Sequence, residues 1–300
     1  MFKLRGVIPP MITPFQEDGE VDEEALRRLV SYLADRVQGL FICGSYGSGP
    51  LMSTRERMKV AEITKTTVGD KIKIIVHTGA ASTRETVILS KHAKDIGCDA
   101  VAAVGPYYYS HNSDELLRHY ENIIKSVKDF PVYLYNNPKF QGYEIDLPSL
   151  RRLKDAGLHG IKDATFNIMN FADYSRELRD ENFDVALGTE AIWLSACVLG
   201  CTAFIPGIGN VLPELCVKMW REGTEGNFEE CRKTQFLVNK IRDIMYLAPS
   251  TQLAIYTMAD IFGIVKTNPR EPFIPASKKQ KEAIAQALDE LGGDDVLRNN

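Results

Sequence analysis

The chain has 300 residues, 44% hydrophobic and 25% charged, enough to bury a large core in one barrel-sized domain or two smaller ones. A formal net charge of -4, a pI near 5.8 and scattered basic residues leave no electrostatic footprint for nucleic acid or an anionic membrane, so a small soluble partner is expected. The six cysteines, at 43, 98, 197, 201, 216 and 231, never form the C-x-x-C spacing of a zinc or redox site and read as buried free thiols. Cys197 and Cys201 lie one helical turn apart but enclose Val198 and Leu199, the pattern of a core face. The run Met1-Phe2-Lys3-Leu4-Arg5-Gly6 lacks the apolar stretch of a signal peptide, and no segment approaches the ~18 apolar residues of a membrane span, so a cytoplasmic protein is expected.

Along the chain, short apolar runs alternate with longer amphipathic ones. Strands are expected at Gly6 to Ile12, Gly39 to Cys43, Ile72 to Thr78, Ala100 to Gly105, Val132 to Tyr135, Gly160 to Lys162, Val185 to Gly188 and Ala203 to Pro206. Helices are expected from near Asp22, from the capping boxes Ser53-Thr54-Arg55-Glu56 and Ser82-Thr83-Arg84-Glu85, and from near Ser113, Leu147, Asn167, Ala191 and Pro213. Strict alternation implies parallel strands buried on both faces, in keeping with the unbroken run Ala100-Val101-Ala102-Ala103-Val104. Eight such units close into an α/β fold, a (β/α)8 TIM barrel over residues 1–215. Residues 216–300 then carry the closing helix and a C-terminal helical extension, with patterns at Leu253 to Ile261 and Ser277 to Leu291. A doubly wound sheet is the competing architecture. It would normally show a nucleotide-binding glycine fingerprint after the first strand, and Pro9-Pro10-Met11-Ile12-Thr13-Pro14 has none.

Chemistry in a barrel gathers at the C-terminal strand ends. The sixth strand places Lys162 in an apolar run, where an ammonium costs several kcal/mol to desolvate. Either the lysine reaches solvent or Asp163, or it forms a Schiff base. The second strand ends in Gly44-Ser45-Tyr46-Gly47-Ser48-Gly49-Pro50, which either presents backbone N–H groups and the Ser45 hydroxyl to an anion or is a tight turn. Tyrosines at Tyr107-Tyr108-Tyr109 and at Tyr133 and Tyr135 serve packing or proton relay. After the seventh strand, Gly188-Thr189-Glu190 offers a carboxylate that either holds a substrate hydroxyl or caps the next helix. The histidines do not converge, so no metal site is expected.

Five ordered motifs, Gly44-Ser45-Tyr46-Gly47, Pro106-Tyr107-Tyr108, Tyr135-Asn136-Asn137-Pro138, Gly160-Ile161-Lys162-Asp163 and Asn210-Val211-Leu212-Pro213, resemble the dihydrodipicolinate synthase/N-acetylneuraminate lyase family across nearly the whole chain. The resemblance implies a class I, metal-independent, pyruvate-handling aldolase or lyase with no cofactor beyond the covalent imine on Lys162. It implies that Tyr135 shuttles the proton and that the Ser45 hydroxyl links it onward. Tyr108 would be lent across a dimer interface of a homotetramer. The amides of Ser45 and Tyr46 would bind the pyruvate carboxylate, and the Ile205 carbonyl would face the imine, with Gly188 and Glu190 on the substrate side. Departures bear on the substrate. The arginine that dihydrodipicolinate synthases carry two residues past the proline is missing, since Pro138 is followed by Lys139 and Phe140; in an extended segment Lys139 would point away. The sialic acid lyases' Gly-x-Asp-Glu has become Gly188-Thr189-Glu190-Ala191, and a bulky Tyr46 stands where the loop usually has a hydroxyl residue. Gly-x-x-Gly-x-Gly-Pro is most similar to the 2-keto-3-deoxy sugar acid aldolases, which makes cleavage of such an acid to pyruvate and an aldehyde the first expectation. A dihydrodipicolinate synthase, a keto-deoxy acid dehydratase, or a catalytically silent 2-oxo-acid-binding regulator are the alternatives.

Overall fold

The computed structural model describes residues 2–293, so the end of the 216–300 segment lies outside the described residues. Eight strands alternate with helices: β1 (Gly6–Val7), α1 (Glu23–Ala34), β2 (Gly39–Ile42), α2 (Thr54–Val68), β3 (Lys73–His77), α3 (Thr83–Asp95), β4 (Ala100–Val104), α4 (Ser113–Ser126), β5 (Val132–Asn136), the one-turn α5 (Pro138–Gln141), α6 (Leu147–Asp155), β6 (Gly160–Asp163), α7 (Ile168–Glu177), β7 (Asp184–Leu187), α8 (Trp193–Val198), β8 (Ala203–Phe204) and α9 (Pro213–Thr224). Then follow α10 (Phe228–Met245), α11 (Thr251–Ile261) and α12 (Lys278–Glu290). The sheet order is β1-β8-β7-β6-β5-β4-β3-β2, with every named pair parallel. A parallel bridge between Pro10 and Phe41, with Phe41 N–H donating to Pro9 O at 3.0 Å, joins the two edges and completes the (β/α)8 barrel.

Two differences from expectation have physical causes. β1 and β8 are only two residues long, because prolines follow each of them and lack the N–H that a ladder needs. Ser53 and Glu56 cap α2 reciprocally, but at α3 only Ser82 caps: the Glu85 carboxylate takes the Thr54 hydroxyl at 2.8 Å on the neighbouring helix instead. The closing helix α9 starts at Pro213, so a division at 215 falls inside its first turn.

The period-two alternation of strands separates two cores. Leu40, Ile42, Leu134 and Ile161 face outward into the layer between barrel and helices. Phe41, Tyr133, Tyr135, Ala186 and Ile205 face inward and fill the barrel. Each large apolar side chain buried this way contributes about 1.5–3 kcal/mol. Register does the rest: Tyr135 pairs with Lys162 across β5 and β6, so both residues share the inward face at the same height. Among the described residues no helix is long and apolar enough to cross a membrane.

Candidate functional site

Lys162 is 3% exposed, and its Nζ lies 3.8 Å from the ring centroids of both Phe41 and Tyr135. Asp163 does not pair with it. One residue on, that side chain faces the outer layer, accepts from the Thr165 N–H (3.1 Å) and hydroxyl (3.2 Å), and is pushed up to about 6 by burial. Two opposed effects therefore act on Lys162. The rings favour the ammonium by about 0.5–2 kcal/mol, whereas desolvation without a carboxylate partner costs several. Desolvation wins, and burial holds the lysine well below its usual range.

Tyr135 is 6% exposed, with its Oη 3.4 Å from Ser45 Oγ and accepting from Asn137 Nδ2 at 3.0 Å. Burial raises the phenol, and the bonds from Ser45 and Asn137 oppose the rise, so the hydroxyl keeps its proton at neutral pH. His77 packs edge-on against the Tyr135 ring, centroids 5.7 Å apart. Its Nε2 accepts from Val104 N–H at 3.2 Å, which leaves Nδ1–H to donate to Cys43 O at 3.1 Å. Burial, aided by the nearby Arg57 charge, keeps it neutral, well below the ordinary imidazole range, although the bond to Cys43 O acts in the opposite sense.

The strand ends open on a cavity of about 760 Å³ whose wall includes Ser45, Tyr46, Tyr135, Asn137, Gly188 and Arg242. Ser48, in the left-handed region at φ 53, and Gly49 turn the loop sharply: a Cβ on Gly49 would stand 1.9 Å from Cys43 O. Among the described residues the backbone N–H groups of Ser45 and Tyr46 donate to no protein acceptor. The Tyr46 hydroxyl reaches across the mouth to Thr251 Oγ1 (3.1 Å), and its ring lies over Gly207, where an added Cβ would meet Tyr46 Oη at 2.5 Å. Ile205, directly after β8, is 1% exposed and faces the barrel interior. Gly188 lets β7 pass close to β6, since a Cβ there would meet Asp163 O at 2.6 Å.

Two expected residues stand elsewhere than the sequence alone places them. Glu190 neither caps α8 nor lines the cavity: it is ion-paired with Arg242 and accepts the Gly207 N–H at 2.8 Å. Lys139 does not sit in an extended segment, because Asn137 caps α5, Pro138 opens it and Gly142 ends it at φ 86, so the lysine lies on the cavity wall. Tyr108 lies outside the site, 86% exposed at φ 83, stacked edge-on against Tyr109 with centroids 4.9 Å apart. Sequence reasoning missed Arg242. The signal was present, for Val238, Ile241 and Met245 are buried on α10 and Arg242 falls at the helical spacing of that face.

The sequence matches the dihydrodipicolinate synthetase family over residues 3–291. A 4-hydroxy-tetrahydrodipicolinate synthase of Methanopyrus kandleri is 30% identical over 295 residues, 97% of each chain. The crystal structure of dihydrodipicolinate synthase from Aquifex aeolicus superposes with a TM-score of 0.91 at 27% identity, covering 99% of this chain and 100% of that one. YagE, a prophage protein of the dihydrodipicolinic acid synthase family from E. coli K12 solved in complex with pyruvate, gives 0.90 at 26% identity, covering 96% and 98%. With the barrel, the sequestered lysine and the phenol beside it in place, the chain belongs to the dihydrodipicolinate synthetase family and is a carbon–carbon lyase of the class I, pyruvate-dependent kind.

Proposed function

We propose that the chain makes or breaks a carbon–carbon bond between pyruvate and an aldehyde through an imine on Lys162. The observation that carries this is the amine itself, buried between two rings without an ionic partner and so neutral enough to attack a keto carbon. Attack on pyruvate C2 and loss of water give the imine. Its positive charge lets C3 release a proton to water in the cavity and form an enamine, the enamine attacks the aldehyde carbon, Tyr135 gives its proton to the new alkoxide, and water then hydrolyses the imine to free the product and the amine; cleavage runs the same steps backward. Ser45, at 3.4 Å, returns the proton to Tyr135, and the free amides of Ser45 and Tyr46 receive the pyruvate carboxylate. Ile205 and Gly188 shape the walls around the imine. No metal or organic cofactor enters these steps.

Condensation of the kind performed by a 4-hydroxy-tetrahydrodipicolinate synthase is the first assignment, supported by the names of the relatives and by Lys139 on the cavity wall. Cleavage of a 2-keto-3-deoxy sugar acid is the second, favoured by the hydroxyls and amides of Thr165, Asn167, Asn170 and Thr251 around the cavity. A homotetramer in which Tyr108 of one copy enters the site of another fits the exposed phenol and the apolar chamber of about 290 Å³ beside Ser45, lined by Leu51, Val104 and Tyr107. The six free thiols suit a reducing, cytoplasmic setting. Borohydride reduction in the presence of pyruvate tests the assignment: one stable adduct on Lys162 is expected, and an unmodified lysine would leave a silent 2-oxo-acid binder.

A further inference from the structure

The turn after β2 is held from 204 residues away. The side-chain amide of Gln252, the second residue of α11, spends both N–H groups on it: Nε2 donates to Tyr46 O at 3.0 Å and to Ser48 Oγ at 2.7 Å. The turn needs such support. Cys43 and Ser48, which bracket it, are non-glycine residues in the left-handed region at φ 57 and 53, a strained conformation that persists only where the surroundings require it. The helix, by contrast, docks without these bonds: Leu253, Ala254, Ile255 and Met258 are buried, and Ser250 caps its start through the Leu253 N–H at 3.2 Å.

We propose that Gln252 is a positioning residue for the keto acid: it holds this turn in the form that aims the Ser45 and Tyr46 amides at the pyruvate carboxylate, and so makes the C-terminal extension part of that site. This rests on the assignment of those amides to the carboxylate and of the imine to Lys162. In a trans peptide the N–H points opposite to the C=O, so a donor that grips a carbonyl on one side aims the next residue's amide to the other. Gly49 N–H takes Gly44 O at 3.1 Å, which aims Ser45 N–H, and Ser48 N–H takes Ser45 O at 3.2 Å, which aims Tyr46 N–H. Both grips depend on where Ser48 stands, and Gln252 holds its hydroxyl. The bond to Tyr46 O fixes the following peptide in the same way, and Thr13 Oγ1 secures Gly47 O at 2.7 Å. Every carbonyl from Gly44 to Gly47 thus has a donor, whereas the amides of Ser45 and Tyr46, on the cavity wall, have no protein acceptor among the described residues. Gln252 lines the same cavity, but its donors serve the turn and not the keto acid.

Borohydride trapping on the full chain, read by intact mass, gives the half-saturating concentration of pyruvate and of methyl pyruvate, whose ester removes the negative charge. Gln252→Met should raise the pyruvate value about tenfold and leave that of methyl pyruvate unchanged. Ser48→Ala, which keeps the bond to Tyr46 O, should move the pyruvate value the same way by about threefold, and it decides the matter if Gln252→Met does not fold. Met258→Ala, on the same helix, loosens α11 without touching those bonds; it should lower the melting temperature and leave both concentrations as they are. An unchanged pyruvate value in the Gln252 and Ser48 variants, an equal rise for methyl pyruvate, or the same rise in Met258→Ala overturns the proposal. A wild type that forms no adduct sinks the imine assignment instead, and calorimetric titration of the same variants with pyruvate then reads the shift without the covalent step.

Discussion

Lys162 and Tyr135 are cross-strand partners whose side chains meet inside the barrel, amine nitrogen to ring centroid at 3.8 Å. Parallel pairing in register puts the nucleophile and the proton donor at one level, and Phe41 from β2 closes the other side of the amine at the same distance. Neither residue depends on a mobile loop for its place.

Removing the Tyr135 hydroxyl separates the two halves of the chemistry. Tyr135→Phe keeps the ring against Lys162 and loses only the bonds to Ser45 and Asn137. The borohydride adduct with pyruvate should persist, while turnover with the aldehyde drops about 10²- to 10⁴-fold. Loss of both together would show that the phenol is needed already for the imine.

The depressed lysine has a cost to the fold that depends on pH. In the unfolded chain Lys162 titrates at its ordinary high pKa; in the fold burial lowers that value, so the unfolded state binds the extra proton between the two. Stability contributed by this site therefore rises as pH increases toward the unfolded pKa. Lys162→Met should raise the melting temperature at pH 7, and its advantage should shrink toward pH 10. Calorimetry showing a gain independent of pH would mean that the lysine is not desolvated in the free enzyme.

The proposed sharing of Tyr108 between copies predicts complementation. The residue is 86% exposed and strained at φ 83, a conformation that costs on the order of 1–3 kcal/mol unless surroundings require it. Lys162→Ala and Tyr108→Ala chains should each be inactive or nearly so. Dissociated and reassembled together, they should recover activity, because some mixed sites combine an intact Lys162 with a partner's intact Tyr108. No recovery from mixed assemblies whose composition is verified by mass spectrometry would place Tyr108 outside the reaction.

The barrel was legible because its strands are unbroken apolar runs, and the inward direction of Lys162 and Tyr135 because both lie in strands whose register fixes it, whereas Ser45 lies in the turn after β2 and was singled out by the motif Gly44-Ser45-Tyr46-Gly47. What stayed hidden depended on distant partners. Whether Glu190 capped a helix or met a substrate was decided by an arginine on α10, and Glu85 abandoned its own helix end for the Thr54 hydroxyl. Lys139 was misplaced for a local reason: Asn137-Pro138 starts a helical turn, which rotates the lysine onto the wall that an extended chain would have turned it from.

Tyr46 over Gly207 has a consequence for building hybrids. The two residues come from opposite ends of the barrel sequence, yet a methyl group on one collides with the hydroxyl of the other. A chimaera that imports its first strands or its last from a relative must carry both positions from the same parent. A graft that brings an alanine to 207 while retaining this tyrosine would force the phenol away from residue 207 and disturb its bond to Thr251 Oγ1.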